Sequence, residues 1–166
     1  MLSFYISTFA VEIELQILFN QFRQMEIKLT KNFTLDEMCR STVARKKGIH
    51  NSPSVTAIKN LKALCENVLQ PLRDRLGKPI VINSGYRSPL LNRLIGGANG
   101  SQHVKGEAAD IKCESMAYAK EIVLIIMEHL VFDQLILETK GKAVWVHVSY
   151  RADGGNRQQA LTIHKS

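Results

Sequence analysis

The sequence predicts one α+β domain in which helices pack on a mainly antiparallel sheet, and three observations predict it. Apolar side chains from Val55 to Leu72 follow the 3.6-residue period of one helix face. Short β-branched or apolar runs stand at residues 79–83 and 107–113. Runs at 133–138 and 144–150 flank Lys140-Gly141-Lys142, which reads as an antiparallel pair across a tight turn. The resulting order is helix, strand, helix, strand, helix, strand, strand, an α+β arrangement.

Each element has a local reason. Thr34 followed by Glu37 is a capping-box pattern that opens a short helix through about Arg40. Residues 46–53 are polar, with Gly48 and Asn51 as turn residues. Ser52 or Ser54 then caps the long helix, Pro71 should kink it, and Gly77 ends it. Residues 79–83 (PIVIN) read as a buried strand that leaves through the turn Ser84 to Pro89. Proline suits a first helical turn, so a short helix is expected over 89–94. Gly96, Gly97, Asn99 and Gly100 make a loop, and a strand follows at 107–113. Ser115 caps a helix bearing Ile122, Ile125 and Ile126, and residues 160–164 can add an edge strand after the final pair.

A chain of 166 residues fits one domain with a modest core. Its formal charge of +7 favours an anionic partner. The cations are scattered, however, with Arg45-Lys46-Lys47 the tight cluster, and no aromatic RNA-binding signature or zinc-finger spacing accompanies them. Nucleic acid is therefore not expected as a partner. Cys39, Cys65 and Cys113 are too few and too far apart for a disulfide framework or a cysteine-rich metal site. Residues 1–24 are apolar but lack a basic start and a small-residue cleavage site, so no clear signal peptide is read there. Glu12 and Glu14 argue against a membrane span. Val11, Leu15, Leu18, Phe19 and Phe22 instead suggest a helical appendage, 1–24, ahead of a domain over 25–166.

The chemistry concentrates in Ser101-Gln102-His103-Val104-Lys105-Gly106-Glu107-Ala108-Ala109-Asp110. His103 ends a Gly-rich loop, Gly106 and Ala108 let the chain fold back, and strand alternation aims Asp110 away from the core side of Ala109 and Ile111. In Trp145-Val146-His147-Val148-Ser149, alternation buries the valines and turns His147 to the other face. Two imidazoles and one carboxylate, with a fourth position for water, form the pattern of an open catalytic zinc site. Each residue taken alone has a plainer reading as a packed histidine or a solvated charge. His50, His129 and His164 match no pattern.

The motif S-x-H-x-x-G-x-A-x-D followed by a W-x-H strand resembles the zinc D-alanyl-D-alanine carboxypeptidase family. That superfamily is shared with vancomycin-resistance dipeptidases, phage endolysin peptidases and the Hedgehog signalling domain. Ser84-Gly85-Tyr86-Arg87-Ser88 precedes the motif as the family expects, and the resemblance runs from about Phe33 to His164. It implies Zn2+ held by His103, Asp110 and His147, with a bound water acidified to roughly pKa 7. The acid often found three residues before the last zinc histidine is absent here, because Val144 stands there. Glu138, which ends DQLILE, is the expected general base, as in the Hedgehog-like branch, with Asp133 the runner-up. Arg87 is expected to grip a peptide carboxylate or the developing oxyanion. Ser101 is expected to bond substrate backbone, and Tyr86 and Trp145 to form walls of a substrate pocket or to pack in the core.

The resemblance implies a monomeric zinc peptidase acting on peptidoglycan stem peptides, as a D,D-carboxypeptidase or as an endopeptidase. The alternative is a zinc-stabilised module that binds wall peptide or a protein partner without cutting. Synthesis in the cytoplasm and action in the periplasm or at the cell wall is the expected setting, reached through phage or prophage lysis, by an unusual export route, or from a chain with a damaged N-terminus.

Overall fold

The computed structural model describes residues 26–165. The appendage expected over 1–24 lies outside the described residues.

The first helix, α1 (Leu35–Cys39), begins where the capping box puts it, and Thr34 Oγ1 accepts a hydrogen bond from Glu37 N at 3.2 Å. A second short helix, α2 (Thr42–Lys47), occupies part of the segment read as polar turn. Ser41 caps it and Gly48 closes it in the left-handed conformation at φ 63°. Only Ala44 of its six residues is buried, so no apolar period advertises it.

Ser54, rather than Ser52, caps α3 (Val55–Leu64), accepting from Ala57 N at 3.2 Å. The chain runs on through a π-helical turn, Cys65–Leu69, into α4 (Gln70–Leu76), which ends at Gly77 with φ 65°. The irregularity expected at Pro71 thus takes the form of a wide turn just before it. Proline has no N–H to give, and its ring crowds the carbonyl four residues back, so a turn widened by one residue accommodates it.

Strand β1 (Ile82–Ser84) is shorter and later than the run 79–83 suggested. Pro79 has no N–H to donate to a ladder, and Ile80 packs in the core instead. The remaining elements are α5 (Pro89–Leu94), α6 (Gln102–Lys105), β2 (Ala108–Cys113), α7 (Met116–His129), β3 (Gln134–Lys140), β4 (Ala143–Ser149) and β5 (Gln159–Lys165). Their sheet order is β1-β2-β4-β3-β5, antiparallel throughout except that β5 runs parallel to β3 at the edge.

One face of the sheet is covered by helices. Leu61, Leu64, Leu69 and Leu72, with Ile122 and Ile126, bury themselves against Ile111, Leu135, Val146 and Val148. Alternation along β2 and β4 then leaves Asp110, Trp145 and His147 on the opposite face. Cys65 and Cys113 are buried, and burial pushes the Cys113 thiol up to about 11. Among the described residues no helix is long and apolar enough to cross a membrane.

Candidate metal site and cleft

Three elements deliver the three candidate ligands. Asp110 on β2 and His147 on β4 are direct cross-strand partners, so the ladder itself sets them side by side. His103 comes from α6, a single helical turn where the sequence had suggested the end of a loop. Gly106 closes that turn at φ 76°, and a Cβ there would stand 2.3 Å from Ala57 O. Only glycine permits so close an approach of α6 to α3.

The donor atoms of His103, Asp110 and His147 all lie within 4.8 Å of one another. His103 Nδ1 lies 2.7 Å from Gly85 O, which makes it the protonated nitrogen and leaves Nε2 for the site. That Nε2 is 3.2 Å from Asp110 Oδ1, and His147 Nδ1 is 2.9 Å from the same oxygen. Ligands about 2.1 Å from a tetrahedral zinc stand on the order of 3.4 Å apart, so these donors need only small adjustments to hold one. Two imidazoles and a carboxylate, buried at the foot of an open cleft, suit that ion in chemistry as well as spacing.

Asp110 carries its charge readily. Burial raises the carboxyl's pKa, but when His103 carries a second proton on Nε2 in place of a metal, its charge, with hydrogen bonds from both histidines, outweighs burial and holds the carboxyl well below the usual range. Its other oxygen, Oδ2, is gripped by Arg87 Nη2, while Arg87 Nε donates to Ser84 Oγ at 2.7 Å. Arg87 was expected to grip a peptide carboxylate or the developing oxyanion. The guanidinium lines the cleft beside the Asp110 carboxylate, with Nε and Nη2 engaged.

The other expected residues separate clearly. Trp145 and Glu138 are cross-strand partners and line a hollow of about 380 Å³ with Arg87, His103, Asp110 and His147. Ser101 opens α6 without using its hydroxyl as a cap, and it lines the same hollow. Tyr86, read as a pocket wall or a core aromatic, is 6 % exposed and belongs to the core cluster. Its backbone N–H donates to Met38 O at 2.7 Å.

Asp133, the runner-up as base, has its carboxylate held by other groups. It is fully buried, and its Oδ1 accepts from Arg157 N and Nε while Oδ2 accepts from Gln102 Nε2 and Arg157 Nη2. With both oxygens occupied, it ties α6 to the segment before β5 and has no lone pair to offer a water. Glu138 is buried too, and among the described residues its Oε2 meets the ammonium of Lys165. Gln102, Arg157 and Lys165 were not singled out from the sequence, because each acts through a partner distant along the chain.

A second hollow, of about 510 Å³, shares Ala98, Ser101 and His147 with the first and is lined by Lys105, Arg151 and Arg157. The cleft therefore continues on both sides of His147.

Fold, cleft and donor set define a domain with an open candidate metal site. The chain belongs to the Peptidase M15 family, whose profile matches residues 31–158. It is also similar to the zinc D-Ala-D-Ala carboxypeptidase of Streptomyces albus G, with 43% identity over 51 residues. That alignment covers 30% of this chain and 20% of the relative, so the chain spans about a fifth of the length of the curated relative it matches.

Proposed function

We propose that the protein is a zinc peptidase that hydrolyses peptide bonds in peptidoglycan stem peptides. The observation that carries this reading is the convergence of His103, Asp110 and His147 in a cleft whose wall bears Glu138. Family membership and the likeness to a zinc D-Ala-D-Ala carboxypeptidase support it.

Those three residues would hold zinc, which when bound would polarise a substrate carbonyl and acidify a water. Glu138, in the same hollow, takes the proton of the attacking water and returns it to the leaving amine. Arg87 orients Asp110, the Ser101 hydroxyl meets substrate backbone, and Trp145 forms a wall. The hollows on either side of His147 give room for residues on both sides of the scissile bond. That room supports an endopeptidase as well as a carboxypeptidase. A monomer acting at the cell wall, in the setting of phage or prophage lysis, completes the proposal.

Mass spectrometry of products released from purified peptidoglycan by the zinc-loaded chain tests this reading. Free D-alanine identifies a carboxypeptidase, and stem peptides or fragments identify an endopeptidase. No product from folded, zinc-bound protein across several wall types overturns the reading in favour of a non-cutting module.

A further inference from the structure

Strand β5 lies largely past the segment matched by the family profile, which ends at residue 158. It nonetheless reaches the cleft. Its parallel register along β3 sets Lys140 beside Lys165 and Glu138 beside Ile163, so Lys165 stands one alternation beyond the neighbour of Glu138. The Lys165 ammonium turns back against Glu138 Oε2 and lies 5.1 Å from the centre of the Trp145 ring. Lys165, Glu138 and Trp145 line one hollow with the three candidate ligands.

We propose that Lys165 is a positioning residue for the reaction: it anchors Oε2 of Glu138 and so turns Oε1 toward the water to be activated. The inference rests on the proposed role of Glu138 as base. A buried carboxylate is costly unless a counter-charge meets it, and among the described residues Lys165 is the cation in contact with Oε2. A glutamate side chain has several free torsions, so a base left unanchored spends much of its time misdirected. The face of Trp145 in turn restricts the flexible lysine stem by attracting its ammonium. Arg87 cannot substitute, being engaged with Asp110 and Ser84.

The test compares the full zinc-loaded chain with Lys165→Met and Lys165→Arg on purified soluble muropeptides, together with the emission of Trp145, the single tryptophan. Lys165→Met should lower kcat about 10- to 100-fold, in the range that general-base positioning supplies, with KM within about twofold. Lys165→Arg should recover most of kcat, and the Trp145 emission of the zinc-free protein should change in Lys165→Met with little change in Tm. A Lys165→Met kcat equal to that of the wild type overturns the inference and leaves the peptidase reading standing. So does an effect confined to KM, or an arginine variant no better than the methionine one. A folded, zinc-bound wild type that turns over nothing overturns the peptidase reading, and the positioning role with it.

Discussion

His147 Nδ1 and Asp110 Oδ1 stand 2.9 Å apart across directly paired positions of β4 and β2. Paired residues on one face of an antiparallel ladder have Cβ atoms about 5 Å apart, so the sheet brings these two ligands together before any loop is placed. His103 is the addition that closes the set, and α6 carries it.

If the three act together on zinc, losing any one should abolish tight binding. His147→Ala should lower bound zinc, measured by elemental analysis, from about one ion per chain to less than about a tenth, since open sites rest on three protein ligands. Retained stoichiometric zinc in that variant counts against the assignment.

Glu138→Gln separates base from ligand. It should keep zinc and the fold while lowering turnover about 10²- to 10⁴-fold, the usual worth of a positioned base. Zinc content and product release measured on the same sample check both halves.

Arg87 holds Asp110 Oδ2 and should matter through the metal. Arg87→Lys removes the forked geometry, and zinc affinity should fall about 10- to 100-fold, as for other residues that orient a ligand. Competition with a chelator measures this. An unchanged affinity with weakened substrate binding returns Arg87 to direct contact with substrate.

Gly106→Ala places a Cβ against Ala57 O at a residue with φ 76°. A cost of about 2–4 kcal/mol is expected from the strain and the displaced backbone. Because α6 shifts, zinc affinity should fall with it. Denaturant unfolding and zinc titration of the same variant test the link.

Hydrogen bonds from Arg157 hold the Asp133 carboxyl below the usual range. A carboxyl depressed in the folded state adds stability above its unfolded pKa of about 3.9, and that stability is lost as pH falls through the lower folded value. Asp133→Asn should therefore be less stable than wild type by about 2–4 kcal/mol near neutrality, with Arg157 and Gln102 left poorly paired. The gap should narrow below about pH 4. Melting curves from pH 3 to pH 7 give the comparison, and a gap that stays constant across that range contradicts the account.

What the sequence determined by itself is what short spacing controls. Helix caps at Thr34 and Ser115 act over three residues, while the cap of the long helix stayed open between Ser52 and Ser54, and the alternation that turns His147 away from Val146 and Val148 acts over one. The His103–Asp110 spacing and the fold class were legible for the same reason. The tertiary structure decided what depends on residues far apart in the chain. It buried Tyr86, occupied both oxygens of Asp133, placed Arg87 beside Asp110, and brought Lys165 to Glu138. Periodicity states which face a side chain occupies, but only sheet order and register determine which distant side chain meets it there.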